Sequence, residues 1–107
     1  MNYTNDELQE LVEKWSHDRK ITVHDKLEVQ ALKLVSEVGE LSDSIIKYDQ
    51  DEIEDEIEDA IGDIAVVLVN ISKLAGTDFN SCFNKAYHVI KDRKGTTLPN
   101  GNFVKEV

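Results

Sequence analysis

The chain has 107 residues, is 40% hydrophobic and 32% charged, and carries a formal net charge of −10. That length and balance fit one folded domain, residues 1–107, and exclude a disordered tail. Acidity on this scale also excludes a general nucleic-acid or anionic-membrane binder, which needs clustered Lys and Arg.

The start, Met1-Asn2-Tyr3-Thr4-Asn5-Asp6-Glu7, lacks the basic and apolar stretches of a signal peptide. Thr4 and Glu7 have the spacing of a capping box, so the first helix is expected to begin there, with Leu8, Leu11, Val12 and Trp15 as its apolar stripe. Trp15 is read as a core side chain rather than a base-stacking platform. A break is expected at residues 20–22. A second helix then runs over residues 23–48, with Leu27, Ala31, Leu34, Val38, Leu41 and Ile45 in alternating steps of four and three. Asp51 is placed as the cap of a third helix, whose stripe is Ile53, Ile57, Ile61, Ile64, Leu68, Ile71 and Ala75 and whose end is Gly76. The longest apolar run, Ile64 to Val69, falls far short of the roughly 20 residues of a membrane span. A fourth helix follows Thr77 or Asp78, carries Phe79, Phe83, Ala86, Tyr87 and Ile90, and is expected to stop at Gly95. Within it, the lone Cys82 is read as a small buried hydrophobe; with no disulfide possible, a reducing cytoplasm is the expected location. Pro99-Asn100-Gly101-Asn102 is a turn signature joining two short extended pieces. The expected fold is all-α: a four-helix-bundle-type domain with an antiparallel helical hairpin at its core and a short irregular C-terminal tail.

The charge is concentrated. From Glu37 to Asp63 there are 12 acidic residues and one basic residue, Lys47, so this window carries −11 and the rest of the chain +1. On helical wheels Glu37, Glu40, Glu56, Asp59 and Asp63 all flank their apolar stripes on the same hand. A short link makes the two helices antiparallel neighbours, so the five carboxylates are expected along one edge of the hairpin. Carboxylates held close repel, and a cation between them relieves this. An all-oxygen donor set, with no Cys or His at ligand spacing, suits Mg²⁺ or Mn²⁺. Asp43, Asp49, Glu52, Glu54, Asp55 and Glu58 are read as solvated helix faces. Gly39 and Gly62, inside helices where glycine is costly, suggest close approach of a helix or a ligand.

Ser36-Glu37-Val38-Gly39-Glu40-Leu41, followed by Ala60-Ile61-Gly62-Asp63, resembles the MazG-like branch of the all-α nucleoside triphosphate pyrophosphohydrolases. The family pattern is E-E-x-x-E, a spacer, then E-x-x-D; the tail resembles small single-domain members found in bacteria and their phages. The resemblance implies Glu37, Glu40 and Asp63 as metal ligands. Ser36 departs from the pattern, as does Ala60 when Asp63 is aligned. Glu56 and Asp59 fit E-x-x-D literally, and one of them is expected to supply the missing oxygen. The implied reaction is Mg²⁺-dependent hydrolysis of a nucleoside triphosphate to monophosphate and pyrophosphate, with nucleotide-pool cleaning as one purpose and Glu40 as the candidate proton acceptor.

Lys33 matches a family lysine and is a candidate phosphate contact, with an ion pair to Glu37 as the equal alternative. Asn70, two turns beyond Asp63, is a candidate sugar or phosphate contact. Lys91, Arg93 and Lys94 either close over the triphosphate or complement a helix end. Two long helices in a chain this small leave broad apolar faces, so a homo-oligomer, dimer or tetramer, is expected, as in the family it resembles. Two other readings stay open: a non-catalytic acidic helical module for a basic partner, and an inactive homologue.

Overall fold

The computed structural model describes residues 2–24, 26–47 and 53–106, the side chains of Ile53 and Glu54 excepted. Its elements are α1 (Asn5–Asp18), α2 (Ile21–His24), α3 (Leu27–Ile46), α4 (Ile53–Leu74), α5 (Phe79–Ile90), β1 (Gly95–Thr97) and β2 (Phe103–Lys105). The all-α expectation holds, and helix ends fall where local chemistry puts them. At α1 the Glu7 amide donates to Thr4 Oγ1 at 3.2 Å and the Thr4 amide donates to Glu7 Oε1 at 3.1 Å. The Thr4 amide, and after it the Thr4 hydroxyl, hold the Glu7 carboxyl below its ordinary value. Gly76, at φ +82°, closes α4: its amide reaches the Lys73 carbonyl and that of Thr77 reaches Ser72, the Schellman pattern. Asp78 then caps α5 by accepting from the Ser81 amide at 2.8 Å and the Ser81 hydroxyl at 2.9 Å.

Four sequence expectations need correction. Residues 21–24 are helical, and the second long helix begins at Leu27 rather than at Val23. Lys20, at φ +63°, ends α1, and α2 packs on α1 and α4, so this segment is held by its own contacts and not by the phase of α3. Residues 48–52, including the expected Asp51 cap and the inter-helix link, lie outside the described residues. Cys82 is exposed, as is every residue of α5 from Ser81 to Ile90, because this helix packs only through its first turn. Among the described residues, and apart from the glycine's own neighbours and helix backbone, nothing comes within 4 Å of a Cβ built on Gly39 or Gly62, so neither marks a close approach of another helix there. The fourth helix stops at Ile90, before Gly95. Gly95 instead opens the β-hairpin, where a Cβ would strike the Val104 carbonyl and the Phe103 ring. Thr96 pairs with Val104, and the Pro99–Asn102 turn joins the strands as expected.

α4 is the axis of the fold, packing on α3, α1, α2 and α5, and it supplies the buried Ala60, Val67 and Val69. α1 is tied to the start of α5, where the Asn80 amide donates to Gln9 Oε1 at 2.7 Å and Asn80 Nδ2 to Asp6 Oδ1 at 2.8 Å. Among the described residues no single helix is long and apolar enough to cross a membrane.

Candidate functional site

Two clefts lie along the α3–α4 seam. One, of about 580 Å³, is lined by Gln30, Lys33 and Glu37 from α3, and by Asp63, Val66, Val67 and Asn70 from α4. Val12 and Trp15 of α1 and Ile21 of α2 form its outer wall. The other, of about 320 Å³, is lined by Glu40, Asp43 and Ser44 opposite Glu56, Asp59, Ala60 and Asp63. Partners run in opposite order on the two helices, so the pair is antiparallel. Asp63 lines both clefts.

At their junction one carboxylate oxygen each from Glu37, Glu40 and Asp63 lies within 4.8 Å of the others. The spacing explains this: Glu37 and Glu40 are one turn apart on one face of α3, and Asp63 meets them across the seam. Glu37 is the inner member, with its side chain 13% exposed; Glu40 and Asp63 are open to solvent. Lys33 Nζ stands 3.7 Å from Glu37 Oε1, while Oε2 is buried with no hydrogen-bond partner among the described residues. A buried carboxylate oxygen without a donor is costly, and a cation removes that cost. Three convergent hard oxygens, with Glu37 holding a buried oxygen that has no donor, fit a divalent metal of the Mg²⁺ or Mn²⁺ kind. Glu56 and Asp59 do not join the three; they line the neighbouring cleft, one or two turns from Asp63.

Asn70 and Lys33 do line the cavity beside the acids, and Lys33 also makes the ion pair expected as its alternative role. Lys91, Arg93 and Lys94 are not brought to the acids within this chain. Lys91 ends α5, and Arg93 and Lys94 face Lys105 and Glu106 of the hairpin in a depression that shares no lining residue with either cleft. Trp15 also differs from expectation. It is 46% exposed and forms a cavity wall, because α1 leans on α4 without closing over α3. Sequence reasoning missed Gln30, which is buried at the cavity floor. A signal was present: an amide three residues after Leu27 and four before Leu34 sits on the apolar stripe itself.

The sequence model of the MazG nucleotide pyrophosphohydrolase domain matches residues 25–97, more than half of the chain. The chain belongs to the MazG family. That match spans the α3–α4 hairpin with its three convergent carboxylates, and it supports a hydrolase acting on nucleotides. Among solved structures, the MazG-like pyrophosphohydrolase of cyanophage S-2L, bound to dGDP and three catalytic Mn²⁺ ions per active site, shares the fold. The TM-score is 0.67 at 20% identity, covering 99% of this MazG chain and 100% of the phage chain. No curated protein matches the chain.

Proposed function

We propose that this MazG domain is a divalent-metal-dependent nucleoside triphosphate pyrophosphohydrolase. It adds water across the α–β anhydride and releases a nucleoside monophosphate and pyrophosphate, in the manner of a nucleotide-pool cleaning enzyme. The observation carrying this reading is the meeting of Glu37, Glu40 and Asp63 oxygens within 4.8 Å at the mouth of a nucleotide-sized cavity. Glu37, Glu40 and Asp63 would hold the metal, with Asp59 or Glu56 adding an oxygen from the adjoining cleft; Mg²⁺ is the proposed ion, and Mn²⁺, recorded in the phage protein, suits the same donors. When bound, the ion offsets the negative charge of carboxylates and triphosphate and makes water more acidic.

The protein's own groups do the rest. Glu40, solvent-facing and beside the cleft, accepts the proton of the attacking water at a carboxylate oxygen. Lys33, whose side chain is 56% exposed, swings its charge between Glu37 and a phosphate oxygen. The walls of Val12, Ile21, Val66 and Val67 exclude water from the substrate's apolar surfaces. Homo-oligomerisation and a cytoplasmic location complete the proposal. Incubation with a panel of canonical and modified nucleoside triphosphates should yield pyrophosphate, not orthophosphate, and EDTA should abolish its release. Turnover of no nucleotide with either Mg²⁺ or Mn²⁺ would overturn the reading.

A further inference from the structure

α1 is held at its two ends and rests lightly between them. At its C-terminal end Lys20 turns the chain at φ +63°, and α2 packs on both α1 and α4. In the middle, Val12 of α1 and Val66 of α4 each line two hollows. One is the cleft of about 580 Å³ beside the acids. The other is an apolar groove of about 320 Å³ on the far side of α1, bounded by Leu8, Ala65, Val69, Phe79 and Phe83. Among the described residues α1 does not pack on α3, the opposite wall of the cleft. A helix with open space on both sides of its contact line loses little packing when it tilts about that line.

The tilt is fixed by α5. The Asn80 amide belongs to the first turn of α5, where no helical carbonyl can reach it, and it donates to Gln9 Oε1 at 2.7 Å. Asn80 Nδ2 donates to Asp6 Oδ1 at 2.8 Å. Gln9 also lowers the Asp78 carboxyl, after the Ser81 amide and hydroxyl, so its side chain reaches two residues of the same helix start. Asp6 and Gln9 lie three residues apart on one face of α1, so both bonds resist the same rotation. Apolar contact has no direction and hydrogen bonds do, so the bonds select one tilt among those that the Val12–Val66 contact permits.

Resting on the nucleotide chemistry above, we infer that Asn80, through Gln9 and Asp6, is a positioning residue: this clasp sets the tilt of α1 and so the distance of the Val12 and Trp15 wall from the α3–α4 seam. Asn80 lines neither cleft of the seam and acts only through α1. Trp15 lies six residues beyond Gln9, about 9 Å along the helix at a rise of 1.5 Å per residue, so a change of tilt at the clasp is carried to the wall. The three carboxylates belong to α3 and α4 and stay where they are. Releasing the clasp therefore weakens the hold on substrate and spares the chemical step.

Trp15 is the chain's single tryptophan, so its emission follows the α1 wall with no substrate present. In the full-length protein, Gln9→Leu removes one acceptor, Asp6→Leu and Asn80→Ala each remove the other bond, and Asp6→Asn keeps an acceptor oxygen in place. Gln9→Leu should shift Trp15 emission and raise KM for nucleoside triphosphates about tenfold, with kcat within about threefold and circular dichroism unchanged. Asp6→Leu and Asn80→Ala should each raise KM about threefold, and together no further than either alone, because they break one bond. Asp6→Asn should keep the parental emission and KM. Parental emission and KM in a folded Gln9→Leu protein would overturn the clasp. So would additive effects of Asp6→Leu and Asn80→Ala, a comparison that decides the matter even where Gln9→Leu does not fold. Shifted emission in these variants of a protein that turns over no nucleotide would sustain the clasp and sink the enzyme reading instead.

Discussion

α3 and α4 face each other across the site, yet they are packed very differently. α4 touches four other helices and buries Ala60, Val67, Val69, Asn70 and Ser72. α3 makes its principal contact with α4 and buries only Gln30, while Leu32 and Val35 are 73% and 70% exposed. Both helices are apolar enough to be central, but only one is central within a single chain. The contrast separates what folds the domain from what surrounds it. α4 gathers the core, whereas α3 supplies two of the three convergent carboxylates from a helix supported on one side.

The largest expected effect tests whether the two helices contribute equally to chemistry. Glu40→Gln on α3 and Asp63→Asn on α4 should each lower the rate of pyrophosphate release by about 100-fold or more, with helicity retained. A deep loss at Asp63 alone would confine the site to α4. Packing should divide the other way. Val67→Ala, at a side chain 2% exposed, should cost about 2 kcal/mol in denaturant unfolding. Val35→Glu should leave the unfolding of the single chain nearly unchanged and shift sedimentation toward the monomer, if α3 is the face a second copy covers.

Smaller effects belong to the helix ends. Gly76→Ala places a Cβ at φ +82° and should lower stability by about 1 kcal/mol at the exit of α4. Asp78, the cap of α5, has its carboxyl lowered by the Ser81 amide, the Ser81 hydroxyl and, more weakly, Gln9 and Lys73. A carboxyl lowered on folding contributes stability above its ordinary value of 3.8 and loses it as pH falls through the depressed one. Asp78→Ala should therefore lower Tm at neutral pH, and its gap from the parent should close below about pH 3.8.

Features encoded over a few residues were legible in the sequence. The Thr4–Glu7 box, the Gly76 exit and the Asp78 cap each depend on dihedral preference and on a hydrogen bond within five residues. Glu37, Glu40 and Asp63 were legible for a related reason, since helical periodicity fixes which hand of the stripe each occupies. Features decided by distant partners were not. The apolar stripe of α1 reads alike whether Trp15 is enclosed or forms a wall, and the difference lies in how far α1 reaches over α3. Likewise, Cys82 and Phe83 share a helix whose local pattern does not say which turn has a neighbour. Glu56 and Asp59 reached the predicted edge but not the convergent group, because the two helices set the depth at which three carboxylates meet.

The tie between α1 and α5 has a consequence for the order in which the molecule is built. Gln9 accepts from an amide 71 residues away, and Asp6 accepts from a side-chain amide 74 residues away. The acidic seam, by contrast, joins helices that are neighbours in sequence, and such contacts form early because the loop to be closed is short. During synthesis the carboxylates can assemble as soon as α4 emerges, while the aromatic wall stays unanchored until Asn80 is available. The carboxylate edge thus precedes the cavity, whose α1 wall is fixed only once the start of α5 has been made.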